Sequence, residues 1–90
     1  MQNTMNLLTL AEKRFPDVNL SEWAAKLGLS KRALYTAKDR GHLSPAIAGA
    51  LAEELQEDPT PWIVVAALES ERDSACKTRM IKRISKRAML

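Results

Sequence analysis

The chain has very little cysteine, histidine, glycine or aromatic side chain, and these shortages exclude several classes of protein. Its 90 residues include one Cys, one His, three Gly, two Trp, one Tyr and one Phe. A single cysteine, Cys76, cannot close an internal disulfide, and no Cys/His cluster is present that could hold zinc. We expect Cys76 to be a small buried hydrophobic residue at a helix interface.

Patterns of catalytic and membrane-spanning residues are also missing. The lone His42 has no nucleophile at a recognisable spacing, and there is no glycine-rich phosphate loop, so we expect no enzyme activity, no cofactor and no small-molecule ligand. No apolar run approaches the roughly 20 residues that cross a bilayer, and the N-terminus lacks a basic segment followed by an apolar one. A cytoplasmic protein without membrane contact is the expectation.

The residues that are abundant are typical of one small helical domain. Hydrophobic residues make up 46% of the chain, and most of them are Leu, Ile, Val, Ala and Met. A chain of this size buries a little over about 60% of its unfolded surface, which is enough for one modest core. Apolar residues recur every three or four positions, and the four prolines lie near predicted helix ends. We therefore predict helices packed on helices.

One central segment has the pattern of two short helices joined by a tight turn. Asn19 and Glu22 have the spacing of a capping box, which opens the first helix. Gly28 is expected to end that helix, because glycine takes a positive φ without penalty. Ser30 follows as the expected cap of a second helix at 31–40. Two helices joined by a three-residue turn have the geometry that lets the second one enter a DNA major groove.

This segment resembles the helix-turn-helix of the phage repressor and Cro family. Ala24, Gly28 and Leu34 stand where that family keeps its small residue, turn glycine and core aliphatic residue. Further helices follow at the family's spacing, so the resemblance covers roughly the first two-thirds of the chain. It implies an all-α DNA-binding protein that acts as a transcriptional regulator.

One position departs from the family pattern. The family usually begins its first motif helix with a polar residue, often glutamine, which contacts phosphate and braces the reading helix. This chain has Leu20 at that place. Asn19 and Ser21, on either side of it, are the polar residues that can take over the phosphate contact.

The second helix of the motif carries the residues expected to contact DNA. Lys31 and Arg32 open it, where cations can meet phosphate and arginine can fork onto guanine O6 and N7. Tyr35 and Thr36, one turn on, can reach base edges or a thymine methyl group, while Lys38 would touch the backbone. The alternative is that these side chains simply coat a solvated helix. The full predicted set is Asn19, Ser21, Ser30, Lys31, Arg32, Tyr35, Thr36 and Lys38.

Charge is distributed unevenly, and this asymmetry is more informative than the net charge of +3. Residues 1–70 carry seven Lys/Arg and nine Asp/Glu, a net of −2, whereas residues 71–90 carry seven and two, a net of +5. A basic segment near a groove-reading helix is typical of DNA-binding proteins, although basic residues also solvate exposed helices. We predict a helix-turn-helix DNA-binding domain at 1–70 and a basic C-terminal helix at 71–90 that contacts another subunit, DNA or a protein partner.

The segment from Trp62 to Leu68 is apolar nearly all round and should be buried on most sides. Its neighbours would be either the core of the domain or a second copy of the chain. The complete fold prediction is an all-α, compact bundle of about five helices that contains a helix-turn-helix, with a basic C-terminal helix.

Two functions are compatible with these sequence features. The first is a sequence-specific transcriptional regulator, of the kind encoded by phages or prophages, that binds operator DNA as a homodimer, with a tetramer as the alternative. The second is a protein-interaction module, of anti-repressor or polymerase-binding type, in which the helix-turn-helix is only scaffold and the basic tail docks on an acidic partner.

Overall fold

A computed structural model describes the backbone of residues 3–88 and the side chains of residues 3–85. Within this part of the chain every regular element is an α-helix, so the predicted all-α fold is confirmed. The radius of gyration, 13.2 Å, is that of a folded chain of this length. In chain order the helices are α1 (Met5–Arg14), α2 (Leu20–Lys26), α3 (Ala33–Arg40), α4 (Pro45–Glu54), α5 (Pro59–Ser70) and α6 (Ala75–Ala88).

The core is built from aliphatic side chains of α1 to α5, with Trp23 of α2 among them. Trp23 is 3% exposed and meets the ring of Phe15 edge-on, with the ring centroids 5.7 Å apart. A chain with so few aromatic residues fills its interior with leucine and alanine, which suits closely packed helices. The buried aliphatic residues are Leu7, Leu8, Ala11, Leu20, Ala24, Leu34, Ala37, Leu43, Ala48, Leu51, Ala52, Leu55, Val65 and Ala66.

Both α4 and α5 begin with a polar capping residue that is followed directly by proline. Ser44 caps α4 by accepting a hydrogen bond from the backbone N–H of Ile47, and a proline occupies the first helical position. Asp58 caps α5 in the same way by accepting from the N–H of Thr60. Each pair of proline and polar cap fixes a helix start without help from distant residues.

α5 is buried along one side and open along the other. Val65 and Ala66 are buried, whereas Ile63 is 41% exposed and Ala67 is also exposed. Ile63 lies over Gly49 of α4, so closely that a Cβ at position 49 would be 2.8 Å from the Ile63 Cδ1 atom. Of the segment from Trp62 to Leu68, five of seven residues are buried or half-buried, and the neighbours within this chain leave only Ile63 and Ala67 exposed there.

α6 follows a short linker and begins beside the last turn of α5. Leu68 of α5 and Met80 of α6 line one depression of about 250 Å³ at this junction. Ile81 and Ile84 are half-buried, whereas Met80 and Cys76 are exposed. The expectation that Cys76 is a buried interface residue is wrong, because the first turn of α6 leaves its side chain in solvent.

Thr4 connects three parts of the chain that are far apart in sequence. Its hydroxyl and its backbone N–H each donate to one oxygen of the Glu69 carboxylate in α5. The hydroxyl oxygen also accepts a 2.8 Å hydrogen bond from the backbone N–H of Leu43, between α3 and α4. Thr4 is fully buried, so these bonds satisfy polar groups that would be costly to leave unpaired.

α4 ends in a left-handed turn formed by a residue other than glycine. Gln56 has a φ of 61°. Its N–H donates to the carbonyl of Glu53 at 3.0 Å, and the N–H of Glu57 donates to the carbonyl of Ala52 at 2.8 Å. These two bonds form a Schellman motif, which normally has glycine at the left-handed position. The Gln56 side chain therefore places backbone strain at the end of α4.

Replacing Thr4 with Val keeps the shape of the side chain but leaves the Leu43 N–H without its acceptor. We expect Thr4→Val to lower the free energy of unfolding by about 1–3 kcal/mol, the usual penalty for an unsatisfied buried donor. Urea unfolding followed by circular dichroism measures the change. The control is Thr9→Val in α1, where the hydroxyl is exposed and donates to the Met5 carbonyl. Equal losses in the two proteins would contradict the role given to Thr4.

Replacing Gln56 with Gly removes the side chain that makes the left-handed turn unfavourable. We expect Gln56→Gly to raise the free energy of unfolding by about 0.5–1 kcal/mol, since relief of strain exceeds the entropic cost of glycine. Gln56→Ala keeps a Cβ and should leave stability nearly unchanged. A lower urea midpoint for Gln56→Gly than for Gln56→Ala would contradict the backbone strain assigned to Gln56.

Candidate nucleic-acid interface

α2 begins with the capping box that the sequence predicts. The Asn19 Oδ1 atom accepts from the backbone N–H of Glu22 at 2.9 Å, and the Glu22 carboxylate accepts from the Asn19 N–H at 3.2 Å. Capping occupies the amide oxygen of Asn19, so its amide nitrogen is the group left to donate to an anion. Ser21 is half-buried, and Leu20 is buried in the core. Leu20 therefore contributes packing at the start of α2 and offers no polar group to a ligand.

The connection between α2 and α3 starts with a left-handed turn at Gly28, whose φ is 72°. The Gly28 N–H donates to the carbonyl of Ala25 at 3.1 Å, and the Leu29 N–H donates to the carbonyl of Ala24 at 2.8 Å. This Schellman motif satisfies carbonyl groups at the end of α2 and turns the chain sharply. The predicted role of Gly28 is confirmed.

The start of α3 differs from the prediction. Ser30 is not its cap, because the helix begins at Ala33 and has no side-chain cap bond. The Ser30 carbonyl instead accepts from the Ala33 N–H at 3.0 Å, which forms a turn over Lys31 and Arg32. The chain leaves the left-handed turn at Gly28 in an irregular conformation and needs this extra turn before helical dihedrals begin. The two cations therefore precede α3, and the connection, at 27–32, is longer than predicted.

α3 has one buried and one exposed face, as its sequence predicts. Leu34 and Ala37 are buried in the core, whereas Thr36 is exposed and Tyr35 retains 39% of its accessible surface. Arg32, directly before α3, is also exposed, and its carbonyl accepts from the Thr36 N–H at 2.9 Å, so it lies one turn before Thr36. This face presents guanidinium, phenol and hydroxyl groups, which together can donate to and accept from base edges.

Lys38, one turn after Tyr35, pairs with a carboxylate of α1. Its Nζ atom is 3.7 Å from the Glu12 Oε1 atom, and both side chains are more than half exposed. Water and salt screen such a pair strongly, so the ammonium group can exchange this carboxylate for a phosphate at little cost. Sequence reasoning missed Glu12, since no local pattern in α1 places it beside α3.

A shallow depression of about 420 Å³ lies between the start of α2 and the connection to α3. Three of the predicted residues, Asn19, Ser21 and Lys31, line it together. Their amide, hydroxyl and ammonium groups are all suitable donors to phosphate oxygens. Glu22 also lines the depression, so these donors act beside a negative charge. The predicted residues outside this lining, all exposed, are Ser30, Arg32, Tyr35, Thr36 and Lys38.

Comparisons with protein families, curated proteins and solved structures give no match to this chain.

Among the residues that the structure describes, no group of three or more His, Cys, Asp or Glu is placed to hold a metal ion. None of the helices in this part of the chain combines the length and apolar character needed to cross a membrane.

The left-handed turn at Gly28 can be tested by substitution. We expect Gly28→Ala to lower the free energy of unfolding by about 1–2 kcal/mol, because a Cβ is unfavourable in this conformation. The surrounding space is open, with no atom within 4 Å of the added Cβ, so the penalty comes from the backbone. Gly28→Asn is the matched control, since asparagine tolerates the left-handed region and should lose clearly less. Equal losses in urea unfolding would contradict this explanation.

Proposed function

We propose that the chain is a sequence-specific DNA-binding transcriptional regulator in which α2 and α3 act as a helix-turn-helix. The observation that supports this best is the arrangement at the start of α3. Lys31 and Arg32 are exposed and make no ion pair with any side chain that the structure describes. They directly precede α3, whose first turn carries the exposed Tyr35 and Thr36, and groove-reading helices use their N-terminal part to contact bases.

Each proposed contact follows from the chemistry of its side chain. The guanidinium of Arg32 donates a bidentate pair of hydrogen bonds to guanine O6 and N7, and Tyr35 and Thr36 contact the neighbouring base edges. Lys31 and Lys38 bind phosphates, which positions the protein on the duplex without specifying a sequence.

Polar groups before α3 complete the proposed footprint. The free amide nitrogen of Asn19 and the hydroxyl of Ser21 donate to the phosphate backbone beside the start of α2. The Ser30 side chain does not cap α3, so its hydroxyl can donate to a phosphate of the same DNA strand. These contacts take the place of the glutamine contact that the resembling family uses.

One short helix reads few base pairs, so the proposed form is a homodimer on two half-sites about 34 Å apart. A tetramer is the alternative assembly. The protein acts in the cytoplasm as a repressor or activator of phage or prophage type, and its action involves no cofactor and no catalytic step.

Selection from a random duplex library tests the proposed reading surface. The wild-type protein should enrich one sequence with two related half-sites. Arg32→Ala should lose about 1–3 kcal/mol at one base position and relax the preference there. Lys38→Ala should weaken binding to all sequences alike and reduce the slope of affinity against salt by about one unit.

The control for these proteins is Lys13→Ala, which removes an exposed cation of α1 outside the proposed surface. Its DNA affinity should remain close to that of the wild type when measured by fluorescence anisotropy. Failure of the wild-type protein to enrich any sequence, even at low salt, would rule the proposal out.

The exposed basic side of α6 favours a second candidate, the protein-interaction module. In that case the tail docks on an acidic protein surface, and α2 and α3 serve only as scaffold. Truncation after Ser70 tests this candidate, because it should abolish capture of the acidic partner. DNA affinity that survives the truncation would limit the tail to that partner. Loss of both activities would mean that the tail supports the dimer that DNA binding requires.

A further inference from the structure

We infer that two copies of the chain pair through the open side of α5 in an antiparallel, two-fold arrangement, with the basic α6 of each copy lying on the acidic end of α4 in the other. This inference rests on the homodimer of the proposed function and specifies its contacts. The partner at this surface is a second copy of the same chain.

The open side of α5 is an uncharged strip. Thr60, Ile63 and Ala67 follow one another at three to four residues, so they share one face of the helix, and all three are exposed. The Ile63 side chain packs closely against Gly49 of α4. Two such strips can face each other without desolvating a charge, which is what a self-complementary two-fold interface requires.

This strip alone is too small to hold a stable dimer. α5 has 12 residues and is about 18 Å long, and the exposed side chains along it are mostly small. Specific interfaces usually bury at least about 1,200 Å² in total. The pairing therefore needs a second contact beyond α5, and α6 is the adjacent element with exposed apolar and charged groups.

The end of α4 is acidic, whereas the exposed side of α6 is basic. Glu53 and Glu54 are exposed at the end of α4, next to the start of α5, whereas Arg79, Lys82 and Arg83 are exposed on α6, after its end. None of these five makes an ion pair with another side chain in the described part of the chain. Their charges are therefore available to a second molecule.

Antiparallel pairing brings these opposite charges together. It places the C-terminal end of one α5, with its α6, beside the N-terminal end of the partner's α5, where the α4 carboxylates lie. Parallel pairing would instead bring acidic ends together and basic helices together, which costs free energy. Within one chain α6 begins beside Leu68 in the last turn of α5, at the opposite end of α5 from the α4 carboxylates. Because of the two-fold axis, the contact between α6 of one copy and α4 of the other occurs twice in each dimer.

Charge reversal on the two sides tests this arrangement. One protein carries Glu53→Lys and Glu54→Lys, and the other carries Lys82→Glu and Arg83→Glu. Each should dimerise at least about tenfold more weakly than the wild type by analytical ultracentrifugation, because like charges then meet at both contacts. Asp17→Lys and Lys13→Glu, each an exposed reversal elsewhere, should dimerise like the wild type.

Mixing the two charge-reversed proteins gives the sharpest result. In the mixed dimer every reversed group meets a group of opposite sign, so an equimolar mixture should restore a two-chain complex of near wild-type affinity. An ion pair formed within each chain cannot be restored by mixing. Wild-type affinity in either reversed protein alone, or no complex in the mixture, overturns the inference. Circular dichroism of each protein verifies that it is folded.

The α5 strip is tested separately with Ala67→Glu, which should reduce dimerisation at least about tenfold by placing a charge within the uncharged face. Ala25→Glu, at an exposed alanine of α2, is its control and should dimerise normally. All these measurements are made without DNA. If the dimerisation measurements turn out as expected but no DNA sequence is selected, the pairing stands and the proposed DNA-binding function is wrong. If the wild-type protein is a monomer and still selects a DNA sequence, the pairing is wrong and DNA binding stands.

Discussion

The left-handed turn at Gly28 is the constraint on which the arrangement of α2 and α3 depends. It closes the end of α2 through backbone hydrogen bonds, so that Leu34 and Ala37 of α3 join Trp23 of α2 in one core. Packing then decides which side of α3 remains outside. Tyr35 and Thr36 are therefore exposed because the opposite face of α3 is buried in the core.

Thr4 supplies the corresponding constraint after α3. By accepting from Leu43 and donating to Glu69, it ties the segment between α3 and α4 to α1 and α5. α3 is thus held on both sides, through the backbone turn at Gly28 before it and through the Thr4 hydroxyl after it. A helix held in this way can present side chains to a partner without first being ordered, which lowers the entropic cost of binding.

Short-range features of this chain could be predicted from its sequence, whereas contacts across it could not. The caps at Asn19 and Ser44 involve groups three residues apart, so the local pattern is sufficient. Ser30 has the same pattern, but its backbone carbonyl accepts from the Ala33 N–H in a separate turn, and α3 has no side-chain cap. The partner of Thr4 lies 65 residues away and leaves no local signature. At the candidate interface, exposure follows from helical period, but the placement of residues before or within α3 does not.

The two tryptophans lie in different surroundings and give the protein two internal fluorophores. Trp23 is buried between the edge of Phe15 and the ammonium group of Lys26, 5.8 Å from its ring centroid. Trp62 is half-buried in the first turn of α5. Emission from Trp23 therefore reports on the hydrophobic interior beside α2, and emission from Trp62 reports on the surroundings of α5. In a Trp62→Phe protein the first signal stands alone, so loosening of the interior can be observed spectroscopically apart from events at α5.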